Sequence, residues 1–188
     1  MNDIRPTVQL SNPVEFPEQY AEACTSFLAL YWQGRKWEMQ EGFGFHQLPI
    51  LMEDDLRRTM LAESLSMIAH AAAGDFDREN EMLVGEIYEH IQDLMEYLFA
   101  PPGLSMAYSI PNSFWESPLG SMVARAQVWL RGDELITLKE AAEIRGITIQ
   151  AISQAVKAGR LTRYIDPDKP ERQERTLVSR KEIEEMDK

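Results

Sequence analysis

The sequence predicts a mainly α-helical protein, in which a bundle of about four helices is followed by a small module of two crossed helices and a β-hairpin. Three observations favour this fold class. Apolar residues recur at helical spacing through the N-terminal part of the chain. Glycines and cap residues occur at short intervals over residues 136–161, and the acidic charge lies mostly before them. We therefore expect two domains, at residues 1–132 and 133–188.

The predicted first domain opens with an arm or an irregular lead-in over residues 1–13 and continues with helices over about residues 16–39, 52–74 and 77–99. Gly74 is placed to end the second helix, because glycine adopts the left-handed conformation that closes a helix at low cost. The third helix has the clearest helical period. Its apolar stripe consists of Leu83, Ile87, Ile91, Leu94 and Leu98.

A loop or extended stretch is expected over residues 103–116, followed by the fourth helix. Ser117 is the predicted N-cap of that helix, Pro118 suits its first position, and Gly132 lies beyond its last turn. The residues around Gly132 are typical of a hinge between domains. Core packing is the expected role of the four tryptophans, with a ligand pocket as the alternative; they are Trp32, Trp37, Trp115 and Trp129.

Two short helices joined by a glycine turn are predicted next. Thr137 is the expected N-cap of the first, which covers about residues 139–145 and ends at Gly146. Ala141 and Ala142 are small enough to let a second helix cross the first closely. This pattern is typical of a helix-turn-helix unit.

The second helix of the pair is expected to begin after Thr148 and to end at Gly159. We assign Ile147 in the turn, and Ile152 with Val156 in the helix, to the core. The outward residues are then mainly amides, a hydroxyl and one cation. Such groups suit hydrogen bonds to base edges in a DNA major groove.

A β-hairpin is predicted after this helix, with strands over residues 160–165 and 176–179 and a charged loop between them. The hairpin would act as a wing beside the helix pair. Ser179 and Glu182 have the spacing of a capping box, which predicts a last short helix over residues 180–186.

The order of these elements resembles the excisionase and MerR-type winged helix-turn-helix. The stretches "LKEAAEIRGIT" and "AVKAGRL" carry the likeness, which covers about the last 55 residues and nothing before them. The resemblance implies a DNA-binding domain with a regulatory or recombination-accessory role.

Eleven residues are candidates for DNA contact. Outward residues of the second helix would recognise bases, while cations beyond it and in the hairpin would contact phosphates or a minor groove. Two roles are open for Ile149, which could contact a thymine methyl or pack against the hairpin. The candidates are Thr148, Ile149, Gln150, Ser153, Gln154, Lys157, Arg160, Arg163, Lys169, Arg172 and Arg175.

The formal net charge of −12 is unevenly distributed. Residues 1–135 hold 8 Lys and Arg against 21 Asp and Glu, whereas residues 136–188 hold 11 against 10. We expect the acidic domain to face away from DNA and to dimerise or to bind a protein partner. A homodimer is expected because one weakly cationic module binds DNA weakly, and two half-sites increase discrimination.

No catalytic, cofactor or metal site is predicted. Cys24 is the only cysteine, so the chain can form neither an intrachain disulfide nor a cysteine zinc site. Glu86, Glu89, His90 and Asp93 could form a metal site, since Glu86 and His90 share a helix face, but a solvated acidic face is the simpler interpretation. The N-terminal residues lack a signal-peptide pattern and no apolar run could span a bilayer, which predicts a cytoplasmic protein.

Two functions from different classes stay open. The first is a sequence-specific DNA-binding protein, either a transcriptional regulator or a recombination accessory factor, that acts as a homodimer. The second is a non-enzymatic adaptor whose two parts bind proteins rather than DNA. An enzyme is not expected, because the sequence shows no combination of acid, base and nucleophile.

Overall fold

The computed structural model describes residues 5–10, 16–37, 60–100, 108–167, 169 and 175–186. These residues form a mainly helical fold with one small four-stranded sheet, which confirms the predicted fold class at that level. None of the described helices is long and apolar enough to cross a membrane. The helices are α1 (Phe16–Trp37), α2 (Met60–Ala73), α3 (Glu81–Phe99), α4 (Asn112–Trp115), α5 (Pro118–Arg131), α6 (Leu138–Arg145), α7 (Ile149–Lys157) and α8 (Arg180–Glu185). The strands are β1 (Thr7–Gln9), β2 (Leu135–Thr137), β3 (Arg163–Ile165) and β4 (Thr176–Ser179).

The sheet joins an N-terminal strand to the predicted hairpin, so it crosses the expected domain division. Its order is β1-β3-β4-β2, in which β1 pairs parallel with β3 and the other neighbours are antiparallel. The pairing extends beyond β1, because Leu10 N donates to Ile165 O at 2.8 Å and Arg163 N donates to Pro6 O at 3.2 Å. The prediction of an irregular lead-in is therefore wrong for residues 7–9. A strand this short shows no alternation, and its partner is distant in sequence.

The two faces of the sheet contact two different hydrophobic cores. Val8, Tyr164 and Leu177 are buried in the larger core, together with side chains of the N-terminal helices. Ile136 and Val178 belong to a smaller core with residues of α6, α7 and α8. Because successive side chains of a strand point to opposite faces, the sheet lies between the two sets of helices. Burial raises the pKa of the Tyr164 phenol.

The apolar stripe predicted for the third helix is the inner face of α3, which packs against α1, α2 and α5. Ile87, Ile91 and Leu94 are buried, and Leu83 and Leu98 are partly buried. The helix begins later than predicted, because the Asn80 side chain caps it by accepting a hydrogen bond from Leu83 N at 3.3 Å. Gly74 follows α2 with a φ of 81°, as predicted.

The fourth predicted helix is α5, and its predicted caps are confirmed. Ser117 Oγ accepts a hydrogen bond from Gly120 N at 3.0 Å, and Gly132 follows the last turn with a φ of 57°. Gly120 lies against α4, where a Cβ would be only 1.9 Å from the carbonyl oxygen of Phe114. This close approach of two backbones requires glycine.

The loop predicted before α5 contains the short helix α4 instead, at residues 112–115. One turn of helix is too short for a helical period to show in the sequence. Trp115 of α4 is buried, and Trp129 of α5 is partly buried against the same core. The side chains of Trp32 and Trp37 lie outside the part of the chain that the structure describes.

The residues after Gly132, predicted as a hinge between the two domains, form hydrogen bonds with β4 and α8. Asp133 accepts hydrogen bonds from the Ser179 hydroxyl and from Lys181 N, the latter at 3.1 Å. The carbonyl oxygen of Glu134 accepts one from Arg180 N at 2.9 Å. These contacts hold the link between α5 and β2 against the start of α8.

The predicted last helix is α8, but only half of its predicted capping box forms. Ser179 Oγ accepts a hydrogen bond from Glu182 N at 3.0 Å, as the box requires. The Glu182 carboxylate contacts Arg5 and Thr162 instead of Ser179 N. Glu182 therefore links α8 to the segment before β1 and to the residue that precedes β3.

Candidate nucleic-acid interface

Caps and a glycine turn position the helices α6 and α7. Thr137 Oγ1 accepts a hydrogen bond from Glu140 N at 3.2 Å, and Glu140 Oε2 accepts one from Thr137 N at 2.7 Å. The Thr137 hydroxyl also donates to Glu140 Oε2 at 2.8 Å, and the hydrogen bonds from the Thr137 backbone nitrogen and hydroxyl to this carboxylate lower the pKa of Glu140. Gly146 ends α6 with a φ of 64°, and Ile147 N donates to Ala142 O at 3.1 Å. The predicted cap and turn are confirmed.

Packing around the turn differs from the prediction at one residue. Ala141 is buried in the smaller core beside Ile152, as predicted. The assignment of Ile147 to this core is wrong, because 41% of its surface is exposed. Ile144 and Ile149 are exposed to a similar degree.

The predicted base-contacting residues lie on or beside one exposed face of α7. Thr148 caps this helix, since its Oγ1 accepts a hydrogen bond from Ala151 N at 3.2 Å. Ile152 and Ala155 form the buried face, and Ser153 is half-buried at its edge. The exposed face consists of Ile149, Gln150, Gln154 and Lys157. With 44% of its surface exposed, Ile149 is available to a binding partner.

The predicted phosphate contacts follow α7 and continue along the hairpin. Arg160 and Arg163 are exposed. Lys169 and Arg175 are exposed as well, and Arg175 Nε donates a hydrogen bond to Lys169 O at 2.6 Å. This bond brings two predicted DNA contacts together on the hairpin. Arg172 lies outside the described residues.

A cleft of ≈ 310 Å³ lies between α7 and the strands β1, β3 and β4. Its lining includes Lys157 and Arg163, and also Arg5 from the chain segment before β1. None of the described residues that line the cleft is acidic. Hydroxyl groups line it too, on Thr7, Ser153 and Thr176.

The sequence did not point to Arg5 or Thr7 as part of this site. They reach it only because β1 pairs with β3, with Thr7 in register with Arg163. The pairing partner lies near the other end of the sequence, so no local pattern around Arg5 could have revealed this placement.

Described acidic side chains of the third helix lie away from the cleft. The outer face of α3 exposes Glu81, Glu86, Glu89, Asp93 and Glu96. Helix α3 packs against α1, α2 and α5, whereas β1 contacts α4 and α5. Helix α5 therefore lies between the acidic face of α3 and the strand that lines the cleft.

The histidines of the N-terminal helices have local partners. His90 Nδ1 lies 3.0 Å from Ser64 Oγ, and His70 Nδ1 lies 2.9 Å from Asp75 Oδ2. Within the described ranges, no three His, Cys, Asp or Glu side chains group as metal ligands would.

No family model matches this chain, and no curated protein or solved structure matches it either. The described residues bring together the exposed face of α7, the cations that follow it, and a cleft to which the N-terminal segment contributes.

Proposed function

We propose that this chain is a cytoplasmic, sequence-specific DNA-binding protein that acts as a homodimer, in transcription regulation or as a recombination accessory factor. One observation carries the proposal. The exposed polar face of α7 adjoins a cleft whose described lining residues include cations and no acid. In a chain with a net charge of −12, such a region is the part suited to a polyanion.

In this proposal, residues 133–188 form a winged helix-turn-helix domain, with α7 as the recognition helix and the β3–β4 hairpin as the wing. Helix α7 enters the major groove. The amides of Gln150 and Gln154 hydrogen-bond base edges, and Ile149 contacts a thymine methyl. Lys157, Arg163 and the hairpin cations hold the phosphate backbone.

The N-terminal helices supply the dimer in this proposal. A single domain with few net cations binds DNA weakly, so two half-sites are needed for useful affinity and discrimination. The acidic face of α3 is turned away from the duplex. Its field also weakens nonspecific binding, because it repels DNA that the recognition helix does not hold.

The test uses the full chain. Selection from random duplexes should enrich one sequence, and its affinity should fall steeply as salt rises. Gln150→Ala and Gln154→Ala should flatten the sequence preference, with about 1–3 kcal/mol of discrimination lost per base contact. Lys157→Ala should weaken all sequences equally and lower the salt slope by roughly 0.9. No enriched sequence and no salt-dependent binding would overturn the proposal.

A non-enzymatic adaptor is the second candidate, and the exposed isoleucines favour it. Ile144, Ile147 and Ile149 each expose 40% or more of their surface around the turn, which suits a protein contact as well as a base. Ile147→Ser distinguishes the two functions. If the chain binds DNA, this substitution leaves duplex affinity within about twofold. If the chain is an adaptor, no duplex is selected and the substitution weakens binding to its protein partner.

A further inference from the structure

We propose that the N-terminal segment takes part in DNA binding, and that the cleft between β1 and α7 binds a phosphate group of the DNA backbone through Arg5, Lys157 and Arg163. This inference rests on the proposed function and adds a contact from outside the C-terminal part of the chain. The ligand chemistry is a phosphate oxyanion, held by guanidinium, ammonium and hydroxyl donors.

The composition of the cleft is the first argument. Three of its nine described lining residues are cationic and three carry hydroxyl groups. The whole chain has 31 acidic side chains against 19 basic ones, yet none of these nine residues is acidic. Guanidinium and hydroxyl groups are the donors that proteins direct at phosphate oxygens.

The anchoring of Arg5 is the second argument. Arg5 N donates to Gly159 O at 3.0 Å, which fixes the segment beside the end of α7. Arg5 Nη1 contacts the carboxylate of Glu182, whose side chain is only 7% exposed. A guanidinium has five N–H donors, so this contact orients the group and leaves other donors for a ligand. The Arg5 side chain remains 45% exposed.

The position of the cleft is the third argument. Ser153 and Lys157 line it from α7, on the helix that carries the proposed base contacts at Gln150 and Gln154. A phosphate in the cleft would lie on the backbone that borders the groove entered by α7. Such a contact carries no sequence information but sets the register in which the helix meets the bases.

The first experiment measures the salt dependence of duplex binding by the full chain. Arg5→Gln keeps an amide that can donate to Glu182 while it removes the charge. Arg163→Gln changes an exposed residue of β3 that does not anchor Arg5. Each should lower the slope of log affinity against log salt by roughly 0.9 and leave the sequence preference unchanged. Arg78→Gln, the matched control in the loop before α3, should not change the slope.

The second experiment needs no DNA. Inorganic phosphate is titrated into the 15N-labelled full chain at constant ionic strength, and amide shifts are followed by NMR. We expect the amide signals of Ser153 and Gly159 to shift saturably with phosphate. Arg5→Gln should lower the phosphate affinity obtained from these shifts at least threefold. Shifts that do not saturate at these residues, or that Arg5→Gln leaves unchanged, would overturn the cleft as a phosphate site.

The two experiments separate this inference from the proposed function. If the unsubstituted chain binds duplex but Arg5→Gln behaves like Arg78→Gln, the N-terminal contact is wrong and DNA binding stands. If no duplex is bound at all, the proposed function is overturned. The phosphate titration then still decides whether the cleft is an anion site.

Discussion

Glu182 accepts two hydrogen bonds from Thr162, one at each carboxylate oxygen. Its Oε2 lies 2.8 Å from the backbone nitrogen of Thr162, and its Oε1 lies 2.8 Å from the Thr162 hydroxyl. Both residues are buried, and the carboxylate also contacts Arg5. This small network ties α8 to the segment before β1 and to the residue before β3. A buried carboxylate with fewer donors would be costly.

Removing the Thr162 hydroxyl should therefore destabilise the fold. Thr162→Val deletes one charge-assisted hydrogen bond in a buried position, and we expect a loss of about 1.5–3 kcal/mol in the free energy of unfolding. Urea denaturation measures the change. Thr162→Ser retains the hydroxyl and should lose less than half as much. Equal stability of the valine variant and the unsubstituted chain would show that Glu182 does not depend on this bond.

Gly120→Ala should destabilise the N-terminal helices. The added Cβ would lie 1.9 Å from the Phe114 carbonyl oxygen, so α4 or α5 must move, at a cost of about 1–3 kcal/mol or more. Gly85→Ala is the matched control, because no atom lies within 4 Å of its added Cβ. In a helix interior this change should stabilise by about 0.5–1 kcal/mol. Thermal unfolding of the two variants should shift in opposite directions.

The capping box of α6 should make stability depend on pH. The folded-state pKa of Glu140 is lowered below its ordinary value of 4.5 by hydrogen bonds from Thr137. A lowered pKa contributes stability that is present above pH 4.5 and is lost as the pH falls through the folded-state pKa. Glu140→Gln should therefore lower the free energy of unfolding at pH 7 and change it little at acid pH. The loss at pH 7 should be less than about 1 kcal/mol, because the pair is exposed.

Denaturation of Glu140→Gln at a series of pH values measures this effect. Glu143→Gln makes the same charge change on α6 but lies outside the capping box. Its difference from the unsubstituted chain should vary less between pH 7 and pH 3. An equal pH dependence for the two variants would contradict a specific role for the capping carboxylate.

Thr148→Ala should loosen the start of α7. Loss of the bond to Ala151 N costs about 0.5–2 kcal/mol at an N-cap. Thr25→Ala is a suitable comparison, because the Thr25 hydroxyl donates to Ala21 O inside α1 rather than capping a helix. That change should stay within about 0.5 kcal/mol of the unsubstituted chain. Hydrogen exchange at Ala151 should accelerate only in the Thr148 variant.

Local chemistry explains which elements the sequence could predict. The ends of α5, α6 and α7 depend on residues within a few positions, such as Ser117 with Gly120 N and Gly146 with its positive φ. Helix α3 carries enough turns to show its period. The short elements α4 and β1 contain too few residues to show a helical period or an alternation of apolar residues. The caps of α6 and α7 are confirmed, and the DNA-binding role of the exposed residues on these helices stays a prediction.

Contacts between residues far apart in the sequence explain why the prediction for Glu182 was incomplete. The spacing of Ser179 and Glu182 correctly predicted a cap, but not that Thr162 and Arg5 would take the carboxylate. A position in the turn predicts burial of Ile147, whereas 41% of its surface is exposed. The partners of Glu182 lie far along the chain, so no short window of the sequence contains them.

The parallel pairing of β1 with β3 also constrains how the chain can fold. Thr7 and Arg163 are in register although they are more than 150 positions apart. During synthesis, β1 leaves the ribosome long before its partner strand exists, and its backbone donors must stay solvated or covered until then. Pairing over such a separation closes a very large loop, which slows folding relative to local helix formation. Completion of the sheet is therefore a late, chain-length-dependent step, and so is assembly of the cleft that it borders.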